Sequence, residues 1–233
     1  MFNDQFMQAV ILAAGRGTRM KDLTDNVPKP MLKIKGRPIL EYKLTALPPE
    51  IKEIVFVVGY KKSRIEEHFG SEFQGRKIRY AIQENLNGTG GAIHTARDML
   101  GDKFMVMMGD DLYHPKDIRE ILANDLAILS AESDNPQNFG VFKINDDGHL
   151  LEILEKPQNP PTNLINAGLY ILNKNFFDYD LVPVSGTEFG LPQTMAKMAK
   201  DHPIKIVKAR AWHPIGNPDE LKEAEKVLDK FMR

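Results

Sequence analysis

The stretch Leu12-Ala13-Ala14-Gly15-Arg16-Gly17-Thr18-Arg19-Met20 closes an apolar run, Ala9-Val10-Ile11-Leu12, and is followed by Lys29-Pro30-Met31. A short unbroken aliphatic run is the pattern of a parallel strand covered on both faces. Small residues come next, so the backbone N–H groups at the strand's carboxyl end are left uncovered. Arg19 and Lys29 stand close by in sequence. Uncovered amides beside two cations are suited to holding a triphosphate. The segment therefore predicts an α/β enzyme that handles a nucleotide.

Two familiar phosphate loops do not fit. A dinucleotide-binding turn needs G-x-G-x-x-G, with an acidic residue about 20 positions on for the ribose. Here Met20 takes the third glycine position, and Lys33, Lys35 and Arg37 bring the opposite charge. The G-x-x-x-x-G-K-[ST] loop is absent as well. A plain strand-to-helix turn accounts for the glycines but not for the pairing of Arg19 with Lys29.

The 233-residue chain carries 31 Lys and Arg against 32 Asp and Glu. That balance offers no footprint for a nucleic-acid partner, so phosphate binding has to be local. The absence of cysteine excludes disulfides, thiolate zinc sites and a thiol nucleophile. No apolar run approaches the roughly 18 residues of a membrane span. Residues 1–8 are polar and acidic, unlike a signal peptide. A cytoplasmic protein with no membrane partner is expected, and a homo-oligomer is compatible with the sequence.

Strand and helix patterns alternate through the first half. Residues 51–59, 78–83 and 103–108 read as further strands, and residues 61–69, 91–100 and 115–123 as helices. Such alternation predicts a Rossmann-like, mixed but mostly parallel sheet flanked by helices. Ligands of these sheets sit outside the strands' carboxyl ends, where the glycine loop, Gln83 and Gly109-Asp110 all fall. In the second half, residues 126–132, 140–144, 150–154 and 164–172 read as strands, with helices at 191–200 and 218–231. The Pro-rich loop 157–161 is too short to divide domains. A single domain over residues 1–233 is expected, with halves at about 7–125 and 126–233.

The loop from Leu12 to Met20, together with Lys29-Pro30-Met31, resembles the signature of the sugar-1-phosphate nucleotidylyltransferase family, L-A-A-G-x-G-T-R-[LM] followed by K-P-[ML]. The resemblance extends through most of the chain. It implies the nucleotide-diphospho-sugar transferase fold, with a nucleotide-binding first half and a sugar-binding second half. It also implies Mg²⁺-dependent transfer of a nucleotidyl group from an NTP to a sugar 1-phosphate, giving an NDP-sugar and pyrophosphate. In that reaction the sugar phosphate attacks in line and charge grows on phosphate oxygens, which positioned cations and amides stabilise. The matching positions make Leu12, Ala13, Ala14, Gly15, Gly17 and Thr18 the nucleotide loop. Arg19 matches the family's pyrophosphate-contacting arginine and Lys29 its phosphate-reaching lysine.

Gln83 and the segment from Gly88 and Thr89 to Ala92 match the family's base-binding turn. A carboxamide both donates and accepts, which suits a pyrimidine edge and favours UTP or dTTP. Glycines there let main chain approach the base and ribose. Asp110 matches the family's metal ligand, and a strand-end carboxylate facing a phosphate loop suits Mg²⁺. Its neighbour Asp111 suits a cap for the helix at Pro115. Gly140, Glu155-Lys156-Pro157 and Asn166 resemble the sugar-binding elements: Glu155 on ring hydroxyls, Lys156 on the phosphate and aiding attack.

The motif Trp212-His213-Pro214-Ile215-Gly216-Asn217-Pro218 departs from the family. Many members have a second metal-binding Asp where Pro214 stands, and proline has no ligating side chain. His213 or Asn217 are the substitutes in reach, and Mg²⁺ favours the oxygen of Asn217. The loss of that Asp leaves a nucleotide-sugar-binding sensor or regulatory subunit as an alternative. A cytidylyltransferase acting on an alcohol phosphate is a second alternative, which the Glu155-Lys156 element disfavours.

Overall fold

The computed structural model describes residues 7–232, so most of the polar start read over residues 1–8 lies outside it. Among the described residues, one ten-stranded sheet runs through the molecule. Its parallel part comprises β1 (Met7–Ala13), β2 (Ile51–Val58), β3 (Arg76–Ile82) and β4 (Lys103–Met108), in the order β4-β1-β2-β3. Leu12 pairs with Val57 on one side and Met108 on the other, so these carboxyl ends emerge at one edge.

Successive residues of β1 alternate between two cores. Ala9, Ile11 and Ala13 face one, and Val10 and Leu12 face the other. Burial on both faces is why the strand reads as a continuous apolar run rather than an alternating one. Helices α1 (Ile39–Ala46), α2 (Ser63–Phe69) and α4 (Pro115–Leu122) cover the first core through Leu40, Leu44, Ile65, Phe69, Ile118 and Ile121. Helices α3 (Gly88–Ala96) and α5 (Leu191–Met198) cover the second through Ile93, Ala96, Met195 and Met198. The result is the α/β layering expected from the alternation.

The second half extends the same sheet with β5 (Ala127–Glu132), β6 (Gly140–Ile144), β7 (Leu150–Glu155), β8 (Leu164–Asn173) and β9 (Lys205–Lys208). The long β8 joins the halves, running antiparallel to β4 over its carboxyl half and to β5 along its other side. Its register with β5 slips between Asn166 and Tyr170, around Gly168 at φ +73°. The last helix, α6 (Pro218–Val227), packs through Ala224 on a third, smaller core with Met20, Ile34 and Ile215.

Several elements depart from the sequence reading. Helix α3 starts at Gly88, so the glycine-rich segment is its first turn and not a loop before it. Helix α1 is not legible in the sequence pattern, because Lys43 interrupts its buried stripe. A hairpin of Val182–Ser185 and Glu188–Gly190 and the edge strand β9 are further elements outside the sequence reading. The cap of α4 is His114, whose Nδ1 accepts from the Lys116 N–H at 3.1 Å, so Asp111 has another role. Among the described residues, no helix is long and apolar enough to cross a membrane.

Candidate active site

The carboxyl ends of β1, β3 and β4 open into a cleft of about 630 Å³. The loop after β1 is pinned at both sides. Leu12 C=O accepts from Gly109 N–H at 2.9 Å, and Ala14 C=O accepts from Tyr60 N–H at 3.0 Å. Among the described residues, nothing accepts from the N–H groups of Gly15, Arg16 or Gly17. Gly17 is left-handed at φ +65°, and a Cβ there would lie 2.8 Å from the Lys29 Cβ. Glycine is therefore required twice over, for the turn and for the close approach of Lys29.

Lys29 is nearly buried, and its ammonium is paired with the Asp110 carboxylate at the cleft floor. The floor itself is main chain against main chain. A Cβ on Gly109 would stand 2.5 Å from Leu12 O, so no other residue fits before Asp110. Leu12, Ala13, Ala14, Gly15, Gly17, Thr18, Arg19, Lys29 and Asp110 all line the cleft.

Beneath the floor lies a second, fully buried set of charges. Asp111 Oδ2 accepts from Trp212 Nε1 at 3.2 Å and lies 3.3 Å from Tyr113 Oη. Tyr113 Oη also reaches Gly168 O at 2.9 Å, at the register slip of β8. Lys43 of α1 donates to the main-chain oxygen of Asp111 and lies 4.5 Å from the centre of the Tyr113 ring. Burial, reinforced by the Asp110 carboxylate, pushes the Asp111 carboxyl up. Burial pulls the Lys43 ammonium down, against the attraction of both aspartates.

Gln83 is buried at the end of β3, donating to Asn87 Oδ1 at 3.0 Å and Gly88 O at 3.2 Å. It lines the cleft together with Gly88 and Thr89. The glycines of this turn serve a neighbour not foreseen from sequence. A Cβ on Gly88 would meet Phe189 O at 2.4 Å and one on Gly90 would meet it at 3.2 Å. They admit the 182–190 hairpin, whose Phe189 N–H donates to Asn87 O at 2.8 Å. Thr89 Oγ1 accepts from Leu191 N–H at 3.0 Å, tying α3 to α5.

Across the cleft, Glu155 ends β7 and accepts from Gln193 Nε2 at 3.0 Å. Gly140 adjoins it, since a Cβ there would lie 3.5 Å from Glu155 Oε2 and 3.8 Å from Asn166 Cβ. The Asn166 carboxamide is engaged by Tyr170 Oη at 2.8 Å and Gly168 N–H at 3.0 Å. Gly140, Asn166 and Lys156 do not line the main cleft. Lys156 is exposed and left-handed at φ +43°, with its N–H donating to Phe139 O at 3.0 Å. Val184, Glu188, Phe189, Gln193 and Gly216 do line it and were not read from the sequence. The one signal that could have found Gln193 is its place in the first turn of a helix opening at the cleft.

The 210–217 segment is held by side chains. Buried Asp117 accepts from Arg210 N–H at 2.8 Å, Ala211 N–H at 3.2 Å and Arg210 Nη1 at 2.8 Å. Asn217 Oδ1 caps α6, accepting from Asp219 and Glu220 N–H at 3.0 Å each. His213 Nε2 meets Glu220 O at 2.8 Å. Both proposed stand-ins for the missing aspartate are thus engaged with α6. Among the described residues, no three His, Cys, Asp or Glu converge as a metal cluster.

Comparison with known proteins gives a consistent picture. The family described as Nucleotidyl transferase matches residues 8–230. "Bifunctional protein GlmU" of Methanocaldococcus jannaschii is 37% identical over 229 residues, covering 97% of this chain and 55% of that protein. "UTP--glucose-1-phosphate uridylyltransferase AglF" of Haloferax volcanii is 35% identical over 239 residues, covering 96% and 97%. The chain thus spans about half the length of its GlmU relatives and nearly all of AglF. A crystal structure from Bacillus anthracis, described as a glucose-1-phosphate thymidylyltransferase in complex with sucrose, superposes with a TM-score of 0.85. It covers 95% of this chain and 94% of that one at 23% identity, a likeness of fold.

Proposed function

Because the chain belongs to the nucleotidyl transferase family, we propose that it moves a nucleotidyl group from UTP or dTTP onto a sugar 1-phosphate, releasing pyrophosphate. One observation carries this reading: four separated segments converge on one cleft. These are the uncovered amides after β1 with Arg19 and Lys29, the Gln83 turn, Asp110 and Glu155. Residues 7–125 supply the nucleotide side and residues 126–233 the sugar side.

The roles follow from what each group offers. Uncovered amides and two cations hold the triphosphate and take up the charge that grows as pyrophosphate leaves. Gln83 reads the base edge, and Glu155, steadied by Gln193, accepts from sugar hydroxyls. Lys156 stands outside the main cleft, so the sugar phosphate meets it only by reaching past the cleft's rim.

Mg²⁺ asks for one or two carboxylates, with substrate phosphates and waters completing the shell. Asp110, a partly exposed carboxylate on the cleft floor, meets the lower requirement, while Pro214, His213 and Asn217 add no ligand. Asp110 is therefore the residue that would hold the ion, and the ion would neutralise phosphate charge. For Lys29 to reach a triphosphate, its ammonium must leave the Asp110 carboxylate.

Pyrophosphate release tests the proposal. Purified protein with Mg²⁺ is run over a grid of NTPs against hexose and N-acetylhexosamine 1-phosphates. Release confined to one NTP and one sugar names both substrates. Nucleotide-sugar binding with no release in any combination would replace the enzyme by a binding protein, the outcome Pro214 makes worth testing.

A further inference from the structure

Asn87 immediately precedes helix α3, where an asparagine side chain ordinarily accepts from the helix's first N–H groups. Here it makes no such cap bond. Its Oδ1 accepts instead from Gln83 Nε2 at 3.0 Å. The Asn87 main chain is fixed on both sides, its N–H donating to Asn85 O and its C=O accepting from Phe189 N–H, each at 2.8 Å. Its side chain rests against Gly91 of α3. A Cβ on Gly91 would stand 1.8 Å from Asn87 Oδ1, so the carboxamide fills the space that any other residue at 91 would need. Gln83 lines the cleft and Asn87 does not.

This contact decides what Gln83 shows to the cleft. A carboxamide has two N–H donors and one acceptor oxygen. Asn87 Oδ1 and Gly88 O engage the nitrogen, at 3.0 and 3.2 Å. A main-chain oxygen can only accept, so nitrogen is the end that faces inward. Gln83 Oε1 accepts from none of the described residues. Among the described residues, His94 Nε2 is the one buried side-chain polar atom without a partner, so Gln83 Oε1 is open to the cleft. A residue only 5% exposed thus meets the cleft as an acceptor alone.

Resting on the reading of Gln83 as the residue at the base edge, we propose that Asn87 is a positioning residue that sets the choice of base. It holds the Gln83 carboxamide with nitrogen inward, so the site takes a base that brings an N–H to Oε1. In uracil and thymine joined to a sugar, N3–H is the sole N–H. Cytosine has an acceptor at N3 and carries its N–H groups on the exocyclic nitrogen. UTP and dTTP therefore satisfy Oε1, whereas CTP sets acceptor against acceptor. Asn87 stands outside the cleft, and its effect passes through Gln83.

Base choice is a readout that a structural role does not share. Asn87→Leu keeps the branched shape and removes the acceptor. The Gln83 carboxamide is then held by Gly88 O alone and can turn its N–H outward, to cytosine N3. The ratio of UTP to CTP affinity should fall about tenfold, the scale of one hydrogen bond made or opposed. Asn87→Asp keeps the acceptor and is the rescue. Its added charge acts on both triphosphates alike, so the ratio should stay within about threefold of wild type. Gly91→Ala places a methyl where Asn87 Oδ1 sits and should lower the ratio in the same direction as N87L. A structural role predicts that every variant weakens both nucleotides equally and leaves the ratio unchanged.

The experiment is calorimetric titration of the whole chain with UTP, dTTP, CTP and N3-methyl-UTP, with circular dichroism as the check of folding. Wild-type protein that discriminates against CTP and N3-methyl-UTP, with the ratio lost in N87L and kept in N87D, supports the assignment. N87L with the wild-type ratio overturns it, as does N87D with a ratio as low as that of N87L. Wild-type protein that binds N3-methyl-UTP as tightly as UTP also overturns it. If N87L does not fold, G91A decides: a fallen ratio supports the assignment and an unchanged one overturns it. Wild-type protein that binds none of these triphosphates overturns the reading of the cleft, and this inference with it. Binding of UTP or dTTP without the change of ratio removes the inference alone.

Discussion

The two sides of the cleft are built by different means. The nucleotide side is main chain: Leu12 O against Gly109, Ala14 O against Tyr60, and Gly17 against the Lys29 side chain. Glycines there are fixed by contacts of 2.5 to 2.8 Å that any Cβ would occupy. The opposite side is side chain, with Glu155 accepting from Gln193. The 210–217 segment beside Arg19 is likewise held by side chains, Asp117 on the 210–211 main chain and Asn217 on α6. A wall made of backbone admits few substitutions. A wall made of side-chain contacts can change a partner at a time; on the proposed function, that suits it to choosing among sugars.

That contrast can be broken at four graded points. Asp110→Ala removes the one carboxylate at the cleft floor, and pyrophosphate release should fall about 10³-fold, the scale of losing one electrostatic group at a reacting centre. Asp117→Ala strips three hydrogen bonds from the segment that leads to Gly216. A loss of about 3 kcal/mol is expected for a buried carboxylate partnered by Arg210. A thermal melt should register it as a fall of roughly 6–12 °C for a chain of this size.

Gly17→Ala tests the backbone wall directly. Its positive φ and the 2.8 Å approach to Lys29 should together destabilise by about 2 kcal/mol and weaken triphosphate binding. A variant with wild-type melting and wild-type nucleotide affinity would show that this wall is less rigid than its contacts suggest. Gln193→Ala should do least. It frees Glu155 from one exposed hydrogen bond, raising KM for the sugar phosphate about fivefold, near 1 kcal/mol, with KM for the nucleotide unchanged. Equal rises in both constants would erase the distinction between the two sides.

The same division governs what the sequence discloses. Parallel strands buried on both faces are written as continuous aliphatic runs, and glycines forced by main-chain contact stand out in a loop. The first side was therefore legible down to Gly17, Arg19 and Lys29. The hairpin over residues 182–190 carries Pro183 and an exposed Val184, so its pattern is neither alternating nor apolar. Lys43 hid both itself and its helix, because a charge in a stripe argues against burial. Its partner Asp111 is 68 positions away. A local reading of Asp111 offered only a helix cap, a place that His114 fills.

The chain contains a single tryptophan, and its indole N–H donates to Asp111 beside the cleft floor. Indole emission responds to charge placed near the ring. The protein therefore carries its own optical reporter of the aspartate pair, with no competing tryptophan to dilute the signal. A change in charge at the floor can be followed in real time by stopped flow on unlabelled protein, which separates the arrival of nucleotide from the steps that follow it.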